Sequence, residues 1–204
     1  MNNLPFSPAA ERNKEAIGHA LGALLGQGPV RVLEIGSGTG QHAVFLTQRF
    51  PEWQWQCSDL VEQLPDLRAR LAQEGVGCLP DPLELDVLQN KWPAGPFDAL
   101  FTANTLHIMS WAHTLALFDQ SVGLLRPSGR LIVYGPFHDS GMHTAPSNEA
   151  FDQALKSRHP SMGVRDAIEI TAQAARRGLH AEADLALPAN NRILVFRKPG
   201  SESA

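Results

Sequence analysis

The sequence predicts an α/β protein built on a seven-stranded, mostly parallel sheet with an antiparallel last strand. Three observations lead there. Short apolar runs rich in β-branched residues alternate with stretches of helical periodicity. The first run, Val30 to Ile35, stops abruptly at Gly36, Gly38 and Gly40, as a buried strand does when it turns into a helix. The last two runs are separated by little more than P-A-N-N at Pro188 to Asn191, the turn of an antiparallel pair.

The length of 204 residues suits one medium-sized domain, so residues 1–204 are read as one. With 43% hydrophobic and 19% charged residues the chain can build a real core. A net charge of −4, with no basic run longer than Arg176-Arg177, argues against a nucleic-acid partner. No apolar run reaches the length of a membrane span, and the N-terminal residues carry no basic segment followed by an apolar one. A cytoplasmic protein is expected, with no membrane partner. Cys57 and Cys78 fall in or beside predicted strands and read as buried free thiols; without a companion histidine cluster they make no metal site, and none is expected.

Residues 1–28 hold a leading helix. Ser7-Pro8 supplies an N-cap hydroxyl and a first-turn proline, Ile17, Leu21, Leu24 and Leu25 share one face, and Gly26 and Gly28 end it. Its polar residues Arg12, Asn13 and Lys14 are either a solvated face or, if the helix lies over the binding cleft, groups that reach a substrate. After the glycine turn a helix runs from Thr39 to Phe50 and stops at Pro51. Trp53, Trp55 and Cys57 alternate with polar residues in a second strand that ends at Asp59, 21 positions beyond Gly38. An acidic residue roughly 20 positions on is where nucleotide-binding α/β units hold ribose hydroxyls. Capping the helix after Leu60 is the other role open to it.

Val61 to Glu74 reads as the next helix, Pro82 to Leu85 as a third strand closing at Asp86-Val87, and Phe97 to Ala103 as the central fourth strand. In open parallel sheets ligands bind beyond the carboxyl ends of strands, where strand order switches. Asn104, Thr105 and His107 follow the fourth strand and stand at such an end; position alone leaves both a structural and a catalytic role open to His107. Ser110 caps a helix bearing Trp111, Leu115, Phe118, Val122 and Leu125, and a proline-glycine turn leads into a fifth strand ending at Tyr134-Gly135. Periodicity then fails. Residues 136–163 form a long polar connection with one short helix, expected to be a substrate lid that brings in Phe137, His138, His143, Asn148 and Glu149. A helix over Arg165 to Arg177 and strands over Glu182 to Leu187 and Arg192 to Phe196 complete the chain. Asn190 and Asn191 are turn formers or part of a substrate wall.

Position 41 is Gln, where a dinucleotide fingerprint needs Gly or Ala, and no phosphate loop with Lys is present. The run Glu34 to Gly40, E-I-G-S-G-T-G, resembles motif I of the class I S-adenosylmethionine-dependent methyltransferases. Leu125 to Leu131 is similar to their L-x-P-G-G-x-L turn, with Ser128 in place of the first glycine. F-S-P-A-A-E-R-N-K-E, Y-G-P-F, S-N-E-A-F-D, G-V-R-D and P-A-N-N more narrowly resemble one uncharacterised family, bearing a domain-of-unknown-function label in bacteria, whose animal member is called methyltransferase-like protein 26. The resemblance implies a three-layer Rossmann-like class I methyltransferase fold and S-adenosyl-L-methionine as cofactor. It places Glu34, Gly36, Ser37, Gly38, Thr39, Gly40, Asp59, Leu60, Asp86, Val87, Ala103 and Asn104 on that cofactor, with Asp86 accepting from the adenine amino group. His107 and Glu149 are the candidate bases; Arg12, Asn13, Lys14, Tyr134, Phe137, His138, Asn148 and Asn190 are the candidate substrate residues. Methyl transfer to a small-molecule acceptor is the expected activity. A protein methyltransferase and a non-catalytic S-adenosylmethionine or S-adenosylhomocysteine-binding regulator are the alternatives.

Overall fold

The computed structural model describes residues 4–75, 79–89 and 91–200, so Cys78 and Asn90 lie outside them. Among the described residues there are ten strands and six α-helices, and seven of the strands run in the order β3-β2-β1-β4-β5-β10-β9. The chain divides into two compact units, residues 1–86 and 87–204.

The first unit contains α1 (Pro8–Leu25), β1 (Arg31–Ile35), α2 (Gln41–Arg49), β2 (Gln54–Asp59), α3 (Leu64–Glu74) and β3 (Leu83–Glu84). β1 and β2 pair in parallel from Arg31 opposite Gln54 to Ile35 opposite Ser58, and β3 adds parallel to Ser58 and Asp59. Val32 and Leu33 are buried, which is why β1 reads as an apolar run, and Trp55 and Cys57 are the buried members of the alternating β2. Ser7 Oγ accepts from Ala10 N as the N-cap of α1, and Ile17 and Leu21 are fully buried, each worth about 2–3 kcal/mol of transfer free energy. The helix expected from Val61 begins instead at Leu64: Val61–Gln63 is a 3-10 turn, and Pro65 occupies the first α-helical turn where its missing N–H costs nothing.

The second unit contains β4 (Phe97–Ala103), α4 (Trp111–Leu124), β5 (Leu125–Gly135), β6 (Phe137–Asp139), β7 (Met142–His143), α5 (Pro146–Arg158), β8 (Arg165–Asp166), α6 (Ala167–Arg176), β9 (His180–Leu187) and β10 (Asn191–Arg197). β4 and β5 are parallel, β10 is antiparallel to both β5 and β9, and β9 therefore runs parallel with β5. The expected antiparallel last strand is present. Its turn holds Ala189 and Asn190 at φ 59° and 56°, so Asn190 serves as a turn former. Residues 136–163 are more structured than the long polar connection expected: β7, β6 and β8 form a separate three-stranded sheet, and α5 has 13 residues. The helix predicted from Arg165 starts at Ala167, because Arg165 and Asp166 are paired with Phe137 and His138. No helix among the described residues is long and apolar enough to cross a membrane.

Candidate active site

At the carboxyl end of β1 the chain turns on glycines that all lie in the left-handed region: Gly36 at φ 74°, Gly38 at 54° and Gly40 at 75°. A Cβ on Gly40 would meet Leu67 Cδ1 at 2.7 Å, whereas one on Gly38 would meet nothing within 4 Å. Gly40 is thus a packing glycine and Gly38 opens onto space. The N–H groups are not left free for an anion, contrary to the simplest reading of such a turn. Gly36 N and Ser37 N both donate to Ser58 O (3.0 Å each), Gly38 N donates to Asp59 Oδ2 (2.6 Å) and Gly40 N to Ser37 O (3.0 Å). The adjacent strand has taken three of these donors and the turn itself the fourth.

Asp59, half-buried at the end of β2, accepts from Gly38 N on one oxygen and from Leu60 N on the other (2.8 Å). Each carboxylate oxygen keeps a further lone pair for a hydroxyl donor. Burial raises its pKa, and the two backbone N–H groups oppose that rise. Beside it Leu60 and Val61 are 42% and 57% exposed, an apolar shelf next to a carboxylate. Asp86 lies beyond β3, partly exposed.

Glu34 is 1% exposed, and its Oε2 accepts from Trp55 Nε1 (3.0 Å) beside the Cys57 thiol. Its carboxyl is enclosed by side chains of its own strand pair, beneath the glycine turn. Burial pushes its pKa up to about 7. Gln41, which sequence reading took only as a mark against dinucleotides, is the hub of the loop. Its Oε1 accepts from Ser7 N (2.6 Å) and Thr39 Oγ1 (3.0 Å), and its Nε2 donates to Glu11 (3.2 Å). α1 is pinned to α2 by the same kind of contact, since Asn13 Oδ1 lies 2.7 Å from His42 Nε2. Lys14 pairs with Glu11, and Arg12 is exposed. Lys14, Gln41, Phe45 and Arg70 line a cavity of about 830 Å³ in this unit.

In the second unit, Ala103 is followed by Asn104 at φ 57°, a strained position that Asn tolerates better than most residues, held by Asn104 N donating to Tyr134 O (2.9 Å). The turn this starts carries His107, 6% exposed, with its ring edge-on to Phe151 at 5.0 Å. Burial, helped by the Arg165 charge, brings the imidazole down to about 4, so it is neutral at physiological pH. Gly163 N donates to the His107 carbonyl (2.9 Å). Tyr134 and Phe137 are buried at 3% and 2%. Asn148 is also buried, donating to Thr144 Oγ1 (2.9 Å) and to the Asn190 carbonyl (3.1 Å), which fastens α5 to the β9–β10 turn. Glu149, the second candidate base, is exposed in the first turn of α5; the carboxylate that faces His138 and His143 is Asp152.

The G-V-R-D run, noted in the sequence only as a signature, is built into this unit residue by residue. Gly163 sits at φ 153° and a Cβ there would lie 2.9 Å from Asp152 Oδ1. Val164 N donates to that same oxygen (2.7 Å). Arg165 donates to the carbonyls of Leu106 (3.0 Å), Ser161 (2.9 Å) and Met109. Asp166 caps α6 through Ile168 N and Glu169 N and accepts from Gly141 N (2.6 Å).

A profile of the family described as "Protein of unknown function (DUF938)" matches residues 4–198. The chain belongs to that family. Its fold is the class I methyltransferase fold, with the same Rossmann-like strand arrangement as solved methyltransferases. The S-adenosylmethionine-dependent methyltransferase SibL in its apo form superposes with a TM-score of 0.79 at 20% identity, over 94% of this chain and 56% of its own. An O-methyltransferase family protein from Burkholderia thailandensis gives 0.77 at 17%, over 94% and 61%. Human N-acetylserotonin methyltransferase, solved in complex with S-adenosylmethionine, gives 0.76 at 15%, over 94% and 53%. The chain therefore spans little more than half the length of these proteins, and the likeness is one of fold.

Proposed function

We propose that the protein is an S-adenosylmethionine-dependent methyltransferase acting on a hydroxyl of a small molecule. The observation that carries this reading is the join of Asp59 to Gly38: a carboxylate with lone pairs to spare, fixed against a bare backbone position that opens onto space. That pair fits a ribose diol, with Leu60 and Val61 as the apolar shelf for an adenine ring. The cofactor would supply an electrophilic methyl group on sulfur.

The remaining work falls to residues of the chain. Asp59, Gly38 and Leu60 would hold the adenosyl moiety, and His107 is the candidate proton acceptor. His107, uncharged and shielded, takes the proton of the acceptor hydroxyl on its ring as the oxygen becomes nucleophilic. Phe151 and the buried walls at Tyr134 and Phe137 keep water away from that transfer. The acceptor class is supported by the O-methyltransferases among the neighbours in fold.

Calorimetry with S-adenosylmethionine and S-adenosylhomocysteine tests the cofactor. A screen of metabolite and peptide pools for S-adenosylhomocysteine release tests the acceptor. Binding without turnover on any pool would favour the regulatory alternative, and turnover on peptides alone the protein methyltransferase. Once an acceptor is known, His107→Gln should leave cofactor affinity within about twofold and slow transfer by about 10²–10⁴. Unaltered single-turnover transfer at every pH would exclude His107 as the base.

A further inference from the structure

The β6–β7 ladder sets His138 directly opposite His143, so the two side chains rise from the same face of the small sheet. Their rings meet edge to face with centroids 4.2 Å apart. From α5, Asp152 approaches both: its Oδ2 is 3.7 Å from His143 Nε2 and 4.0 Å from His138 Nε2. Among the described residues these three offer one ligand atom each, all within 4.8 Å of one another. Two imidazole nitrogens here, His138 Nε2 and His143 Nδ1, are buried with no hydrogen-bond partner. A buried polar atom normally finds one, so the pair lacks something that accepts nitrogen lone pairs.

We propose that His138, His143 and Asp152 form a binding site for a divalent transition metal ion of the zinc class. The donor set is chemically right, because two imidazoles and one carboxylate are a common zinc triad that leaves a fourth position open. The spacing is near what is needed. Tetrahedral zinc with bonds of about 2.1 Å places neighbouring donors about 3.4 Å apart; the carboxylate is already at 3.7 and 4.0 Å from the imidazoles, and all three donors lie within 4.8 Å, so small rotations of the side chains would close the set. The carboxylate is already oriented from behind, as good ligands are, by Val164 N on Oδ1. Lys156 Nζ now lies on Oδ2 at 2.6 Å, but its side chain is 58% exposed and can turn to solvent as the ion enters. The absence of a metal site expected from the cysteines is revised here: the ligands come from strands of three and two residues and a helix, a spacing that matches no sequence motif.

The ion would rivet the β6–β7 hairpin to α5, whose Phe151 touches His107. The site needs no cofactor and is independent of the methyltransferase reading. The test uses full-length, chelator-stripped protein and Zn²⁺ or Co²⁺ alone. Wild type should retain one equivalent of Zn²⁺ after desalting, gain thermal stability with it, and give the visible bands of four- or five-coordinate Co²⁺. His143→Ala and Asp152→Asn, the latter still able to accept from Val164 N, should each weaken binding at least about tenfold. Lys156→Ala, which keeps every ligand and removes the competing ammonium, should tighten it. No uptake by wild type, or uptake equal in wild type and the His143 and Asp152 variants, would overturn the proposal.

Discussion

Replacing Glu34 by Gln isolates the energetic cost of a carboxyl that the fold has sealed inside a strand pair. Burial raises its pKa from 4.5 to about 7. A carboxyl whose folded pKa is raised stabilises the native state fully only while protonated, below the unfolded value, and that contribution drains away as pH rises through the folded value. With those two values the ionisation penalty is about 0.8 kcal/mol near pH 5 and about 3.3 kcal/mol near pH 8, a swing of about 2.5 kcal/mol. Gln stays neutral throughout and its carbonyl can still accept from Trp55 Nε1, so the main packing contact survives. Urea unfolding of both proteins across this range gives the quantity directly, since every other titrating group cancels in the difference. Wild type should lose about 2–3 kcal/mol relative to Glu34→Gln between the two ends. A difference that stays constant within about 0.5 kcal/mol would mean that the carboxylate is ionised and compensated in the fold, and the reasoning would fail.

Asp59→Asn should weaken S-adenosylmethionine binding by about 1.5–3 kcal/mol in calorimetry, the worth of hydrogen bonds to a charged group. Wild-type affinity should also fall as pH drops through the raised pKa of Asp59, because ribose hydroxyls donate to the ionised form. Gly40→Ala combines a left-handed backbone with a 2.7 Å contact to Leu67 and should lower stability by about 2 kcal/mol or more, read from the denaturation midpoint. Arg165→Met leaves the carbonyls of Leu106, Met109 and Ser161 without their donor and should cost about 2–4 kcal/mol, with Lys recovering part of it.

The large strands were legible because each is long enough to show its period, and the Gly38-to-Asp59 spacing was legible because it belongs to the βαβ unit itself. The small sheet was not. Strands of two or three residues, such as Met142–His143 and Arg165–Asp166, carry no periodicity, and Arg165 and Asp166 were absorbed into the following helix because an N-cap Asp reads as its start. Direction was the other failure. The motif located Glu34 but could not say that its carboxyl turns toward Trp55, and α5 was recognised without showing that Asp152 rather than Glu149 turns inward. Gln41 went unread because a residue that bridges Ser7, Glu11 and Thr39 does so across distances in sequence that no local pattern encodes.

The glycine turn carries a consequence for ligand choice. Its donors at Gly36, Ser37, Gly38 and Gly40 are already engaged by Ser58, Asp59 and Ser37. A pyrophosphate arriving there would find the Asp59 carboxylate and no welcoming amides from those four residues, so a nucleotide's phosphates would be repelled where its sugar is invited. The resting backbone is therefore expected to favour a ligand that brings hydroxyl donors to this turn over one that brings phosphates.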